Sequence, residues 1–180
     1  MIRSIAASAL AALVTLAATP AFANPTDDVR SALMRYAGLS SYRMTMTAEK
    51  GGMTMDIVRP DSVHMSASGM ELVKIGSTMY VKAPGGKGWM KQSVHGAGPA
   101  AVADKMKSML NERDAFTATD LGMKAMHGGE PMHAYKVKQK NGSSSVIYVA
   151  RDGFVHRMQS DNSTMEFSKF NQIAPIRAPI

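Results

Sequence analysis

Between Ser41 and Gln92 the chain alternates apolar and polar residues with a period of two, which limits this stretch to antiparallel strands with one dry and one wet face. Tyr42, Met44, Met46 and Ala48 interleave with Arg43, Thr45, Thr47 and Glu49. If Gly51-Gly52 is the two-residue turn that positive φ angles favour, Met46 is expected opposite Ile57, Ala48 opposite Met55, and Thr47 opposite Asp56. An odd-length loop at Pro60-Asp61-Ser62 then keeps Val63, Met65 and Ala67 on the face of Met55 and Ile57. A two-residue loop would set Met65 beside Asp56. Ser68-Gly69 turns the chain again and places Leu72 opposite Met65. After it, Val73, Ile75 and Tyr80 point away from Leu72 while Met79 and Val81 stay with it. Both faces of these strands are therefore partly apolar, and the second face also needs cover.

Methionine sets the dry face apart. The chain holds 17 of them, and β-branched or aromatic residues would fit a pleated strand better. A face made of Met44, Met46, Met53, Met55, Ile57, Met65, Leu72 and Met79 is soft and adaptable, suited to irregular apolar ligands or to a loosely packed core.

The flanks define the setting. Met1 to Ala23 reads as a secretory signal: Arg3, an apolar stretch from Ile5 to Ala18, then Ala21-Phe22-Ala23, with cleavage expected after Ala23. Residues 24–180 are enough for one domain with its own core. With no cysteine, export brings neither disulfides nor a lipid-attachment thiol, so a soluble periplasmic protein is expected. Removing Arg3 lowers the formal net charge from +7 to +6, a basic surface suited to anionic headgroups or acidic partners, or simply to solubility. No nucleic-acid recognition motif is present.

A first helix is expected from Thr26 as N-cap, with Asp27 and Asp28 in its first turn, an apolar stripe of Val29, Leu33, Tyr36 and Ala37, and Gly38 as its stop. A second, from Ala100 to Arg113, carries Val102, Met106, Met109 and Leu110 on one side and is expected to close over the sheet. Towards the C-terminus, an Asn141-Gly142 turn predicts Tyr135 opposite Tyr148 and Val137 opposite Val146. Turns at Asp152-Gly153 and Asp161-Asn162 follow, the latter setting Met158 opposite Met165. The total is about ten strands and two helices, mainly antiparallel α+β.

Several marks stand in a telling order: Ser41-Tyr42-Arg43, then Ile75-Gly76-Ser77-Thr78-Met79-Tyr80-Val81-Lys82 followed by Gly88-Trp89, then Asp120-Leu121-Gly122 before Gly128. Tyr148-Val149 to Arg157 and Phe167-Ser168-Lys169-Phe170-Asn171 to Pro179 complete them. In this order the mature chain resembles the periplasmic lipid- and lipoprotein-carrier superfamily that includes LolA and the LppX and LprG carriers. The resemblance implies a strongly curved antiparallel half-barrel whose concave apolar face is lidded by helices and accepts acyl chains. It transfers no functional residue to a particular position.

Catalysis finds little support. There is no cysteine nucleophile, no Gly-x-Ser-x-Gly elbow and no pair of histidines at helical ligand spacing, and His64, His95, His127, His133 and His156 are scattered. Copper is the stronger rival, because thioether and imidazole suit Cu(I) and the chain contains Met44-x-Met46, Met53-x-Met55, His64-Met65, Met126-His127 and Met132-His133. Two features favour packing instead: methionine is spread over nearly every element, and Met46 has an ordinary expected partner in Ile57.

The expected function is therefore a monomeric, non-catalytic carrier for a lipid or the acyl chains of a lipoprotein, with no cofactor and no resident metal. Its cavity is expected to be formed by Met44, Met46, Met53, Met55, Ile57, Met65, Leu72, Met79, Val102, Met106 and Met109, with Arg43, Lys82, Lys87 and Lys91 at the rim for an anionic headgroup. Proteins of the inner or outer membrane surface are the expected partners in hand-off. A copper-binding protein and an envelope sensing or interaction module on the same fold are the alternatives.

Overall fold

The computed structural model describes residues 24–49, 51–93, 112, 114–127 and 130–180. The expected signal sequence and, apart from Glu112, the second helix expected from Ala100 to Arg113, with Val102, Met106 and Met109, lie outside the described residues.

Helix α1 spans Pro25–Arg35 and is followed by a 3-10 turn, Tyr36–Gly38. Its N-cap is Asn24, whose Oδ1 accepts from the Thr26 amide at 3.1 Å, and not Thr26 as the sequence suggests. Pro25 takes the first helical position, where its missing N–H costs nothing. The Thr26 hydroxyl is thereby released to accept from the Ala118 amide at 3.0 Å, which ties the helix to the sheet. Val29, Ala32 and Tyr36 form the buried stripe; Ala37, expected there, is exposed because the tighter 3-10 turn rotates it outward.

Eleven strands follow: β1 (Ser41–Ala48), β2 (Gly51–Val58), β3 (Ser62–Ala67), β4 (Met70–Ile75), β5 (Thr78–Lys82), β6 (Met90–Ser93), β7 (Phe116–His127), β8 (Glu130–Gln139), β9 (Ser144–Val149), β10 (Val155–Gln159) and β11 (Ser163–Ser168). They make a single antiparallel sheet in the order β6-β5-β4-β3-β2-β1-β11-β10-β9-β8-β7. Two meanders thus spread outward from a central seam at which the first strand pairs with the last. The architecture is the expected mainly antiparallel α+β one, with one α-helix among the described residues where two were expected.

Gly51 and Gly52 lie within β2, opposite Ala48 and Thr47, and do not form the turn of the first hairpin. Met46 therefore lies opposite Met53, Met44 opposite Met55, Tyr42 opposite Ile57, and Arg43, instead of Thr47, opposite Asp56. The shift is even, so every side chain keeps its expected face. The loop Arg59–Asp61 is odd, as expected, and sets Met55 opposite Met65 and Ile57 opposite Val63. Met65 meets Leu72, as read from sequence; Leu72 meets Val81 and, on the other face, Val73 meets Tyr80, so these residues keep their expected faces. Val73 and Tyr80 are buried, so the second face is indeed partly dry.

The β8–β9 hairpin departs by one residue. Gln139 and Ser143 close a three-residue loop, Lys140-Asn141-Gly142, in which Gly142 has φ 88° and Asn141 Oδ1 accepts from the Ser143 amide at 3.0 Å. A three-residue loop with a left-handed glycine is the next commonest hairpin after the two-residue one. Tyr135 consequently faces Ile147 in place of Tyr148, and Val137 faces Ser145 in place of Val146. The odd shift turns Ile147 inward to complete burial and leaves Tyr148 on the opposite face. Met158 lies opposite Met165 as expected.

The core lies between α1 and one half of one face of the sheet. Val29, Ala32, Tyr36 and Leu39 pack with Phe116, Tyr135, Val137, Ile147 and Val155, so the covered strands are β7 to β10. Tyr36 is its hub: the ring meets Tyr42, Phe154, Phe167 and Phe170 edge to face at 5.3 to 6.0 Å, and its hydroxyl donates to the Val155 carbonyl. Beyond β11 the chain is pinned back to β1, the Asn171 amide donating to the Ser41 carbonyl at 2.8 Å and the Ile173 amide to the Ser41 hydroxyl at 3.1 Å.

Candidate functional site

The face that α1 covers over β7 to β10 continues across the seam into the methionine stripe. Ladder pairings carry it from Ile147 through Met158 and Met165 to Met46 and Met53, and from Phe167 through Met44 and Met55 to Met65, Leu72 and Val81. Its two halves differ in chemistry. Beneath the helix the side chains are branched, aromatic and buried; beyond it they are mostly methionine, and Met44, Met46, Met53, Met55, Met65, Leu72 and Met79 are all half-buried. Ile57, opposite Tyr42 at the helix-proximal end, is the buried member of the expected cavity set among the described residues.

Sequence reasoning missed the contribution of the far half of the chain. Met158 and Met165 are separated from Met46 by more than a hundred residues, and only the β1–β11 pairing brings them to the same face. Met70, opposite Ala67, and Met90, opposite Val81, also belong to it, and Met90 is 54% exposed.

The basic residues expected at the rim are placed differently. Arg43 points to the other face, where its Nε and Nη2 each donate to Asp56 at 2.6 Å. That bond holds the Asp56 carboxyl below the usual carboxylate range. Lys82 shares the face of Tyr80, 3.5 Å from Glu71 and over the Trp89 ring at 5.9 Å; Lys91 lies opposite Tyr80; Lys87 is exposed in the loop between β5 and β6. The basic side chain on the methionine face is Lys74, opposite both Val63 and Met79, whose Nζ donates to the Gly76 carbonyl at 2.7 Å. The signal was available: Lys74 is two residues from Leu72 in the same strand.

At the other end of the face a polar cluster surrounds the start of α1. Asp120 Oδ1 accepts from the Gly122 amide at 2.6 Å and lies 2.6 Å from His133 Nε2, and these bonds lower its pKa. The His133 ring stacks on Tyr135 at 4.8 Å, and the Tyr135 hydroxyl donates to Asp28 at 3.4 Å. Burial, with Asp28 and Asp120 adding to it, pushes Tyr135 up to about 12. The members satisfy one another, as a structural cluster does.

The adjacent histidine-methionine pairs cannot chelate together, because neighbours in a strand point to opposite faces. His64 lies with Val73 and Asp56, 3.6 Å from Glu71, while Met65 is on the methionine face. His133 faces Asp120, while Met132 is buried on the reverse side. His156 is bound to Asp152 at 2.8 Å. The side chains of Met126 and His127, and His95 as a whole, lie outside the described residues. Among the described residues no group of three or more His, Asp or Glu side chains could hold a metal ion.

No family model matches the sequence, and no curated protein does. Among solved structures the chain is similar to LprF from Mycobacterium bovis, with a TM-score of 0.61 and 15% sequence identity over 87% of this chain and 99% of that one. That likeness is consistent with the curved half-barrel expected from the sequence. The chain thus shares the fold of LprF, an open antiparallel sheet carrying a helix on one face.

Proposed function

We propose that this protein is a non-catalytic carrier that holds the acyl chain of a lipid or lipoprotein against the methionine half of its sheet. One observation carries the reading: α1 buries the β7 to β10 half of the face, whereas the contiguous methionine half remains partly open. A continuous apolar surface of this kind marks a binding site when it is left accessible. Methionine suits it, since unbranched thioether chains repack around acyl chains of different length and unsaturation. The fold shared with LprF supports the reading.

Within it, Met44, Met46, Met53, Met55 and Met65 bed the acyl chain, with Ile57 as floor and Leu72 and Met79 extending the bed towards β5. Val102, Met106 and Met109 supply the lid, and Lys74 replaces Arg43 as the cation nearest an anionic headgroup. The setting is periplasmic, after signal cleavage, and the protein works as a monomer handing its ligand to membrane-surface partners.

Titration with a fluorescent long-chain fatty acid tests this. Saturable binding is expected, abolished by Met46→Glu or Met55→Glu in variants that keep their circular dichroism spectrum. Retained binding in both folded variants would place the ligand elsewhere. No binding of the probe by the wild type, together with no lipid released on solvent extraction of the purified protein, would refute the carrier reading.

A further inference from the structure

Four consecutive strands each present a methionine at the same level of the sheet. Met53 on β2 lies opposite Met46 on β1, Met46 opposite Met165 on β11, and Met165 opposite Met158 on β10. Directly opposed residues have their Cβ atoms about 4.5–5.5 Å apart. A thioether side chain has freely rotating bonds, so three neighbours in such a row can turn their sulfurs towards one point. The expected pairing of Met46 with Ile57 would have left Met46 without a sulfur neighbour on β2; the observed register gives it one on each side.

We propose that three neighbours of the row Met53, Met46, Met165 and Met158, centred on Met46 and Met165, form a thioether site for a soft monovalent metal ion, Cu(I) in the first place. The donor set is selective by composition. On β1, β2 and β11 the residues flanking the row on the same face are Ala48, Gly51 and Ser163 on one side and Met44, Met55 and Phe167 on the other, with no carboxylate or imidazole among them; on β10, which bulges between Val155 and Arg157, the neighbouring His156 is held by Asp152 at 2.8 Å. Thioethers alone hold Cu(I), whereas Zn(II) and Cu(II) require nitrogen, oxygen or thiolate donors. All four side chains are half-buried, so an ion reaches them without unfolding the core. The chain has no cysteine, so no thiolate competes for the ion. Among the described residues, His64 is on the reverse face and His133 and His156 are bound to carboxylates.

Packing alone would be served equally by leucine, and this separates the two roles. The test uses the full chain labelled at the methionine methyl carbons and titrated with Ag(I), a redox-inert stand-in for Cu(I). The methyl resonances of Met46 and Met165, with that of Met53 or Met158, are expected to move together and saturate at one equivalent, while Zn(II) and Cu(II) leave them in place. Competition with a colorimetric Cu(I) chelator under anaerobic conditions then gives the affinity. The double variant Met46→Leu with Met165→Leu should bind at least about tenfold more weakly, a loss of about 1.4 kcal/mol. Met79→Leu, three strands away on the same face, should bind as wild type.

Ag(I) shifts spread over all methionines without saturation, or wild-type affinity in the double variant, would overturn the site. Fatty-acid binding is read separately, from the wild type and the Met46→Glu and Met55→Glu variants, whereas the metal site is read from Ag(I) and Cu(I) binding. Failure of the metal site and failure of the carrier reading are therefore read from different measurements.

Discussion

Arg43 grips Asp56 through two parallel bonds, Nε to Oδ1 and Nη2 to Oδ2, both 2.6 Å long, on the face of the sheet away from the methionines. The pair bridges β1 and β2 and is partly sheltered, with Asp56 13% exposed. Because the bond to Arg43 lowers the Asp56 pKa in the folded state, the unfolded chain takes up the proton first as pH falls. The stabilisation is complete above the ordinary aspartate pKa of about 4 and is lost as pH drops through the folded value. Asp56→Asn is expected to cost about 1–3 kcal/mol at pH 7, with the gap to wild type closing in acid. Urea denaturation at pH 7 and pH 3 measures both. Arg43→Met should leave fatty-acid binding intact, since the side chain lies across the sheet from the ligand face.

Tyr36 joins the end of α1 to β10 through its hydroxyl, which donates to the Val155 carbonyl. Burial raises its pKa, so the ionised form is available only to the unfolded chain. Its contribution is complete below the unfolded tyrosine pKa of about 10 and falls as pH rises above it. Tyr36→Phe keeps the ring contacts and is expected to cost about 1–2 kcal/mol at pH 7, with a flatter loss of stability between pH 10 and 11 than wild type. Thermal melts across that range decide it.

The two halves of the apolar face should respond differently to truncation. Ile147 is 1% exposed beneath α1, and Ile147→Ala is expected to cost about 2–5 kcal/mol. Met46 is half-buried on the open half, and Met46→Ala should cost well under half as much while weakening fatty-acid binding. Equal losses of stability at both sites in chemical denaturation would show that the methionine half is sealed core.

Gly142 sits at φ 88° in the β8–β9 loop, and nothing stands within 4 Å of the Cβ that alanine would add there. Gly142→Ala is therefore a test of backbone strain alone, expected to cost about 1–2 kcal/mol. Gly38 has equal space and no positive φ, so Gly38→Ala should be neutral or mildly stabilising. The difference in melting temperature between the two variants is the readout.

Facing was far more legible than register. The register of the first hairpin is not the one its glycines suggest, yet Met44, Met46, Met53 and Met55 share a face either way, because an even slip preserves alternation. At Asn141-Gly142 the error was odd, and it put Tyr148 where Ile147 belongs. No local signal separates a two-residue loop from a three-residue one there; the decision lies in which residue completes the core under α1. The rim followed the same logic. Arg43 and Lys82 were chosen for charge, although their own strand alternation already pointed them away, and Lys74 was passed over between Val73 and Ile75. What no pattern could supply was the approach of Met158 and Met165 to Met46, because a pairing between the first strand and the last leaves no periodic trace.

That pairing also governs order in time. The first six strands can zip together as soon as they exist, each beside its sequence neighbour, but β1 keeps a bare hydrogen-bonding edge until β11 arrives as the final strand of the chain. The row from Met53 to Met158 crosses this joint, so neither meander owns the site by itself. A nascent or truncated chain that stops short of Ser163 has an extended bare edge and an incomplete methionine row, which makes the last strand the step that both covers the edge and completes the row.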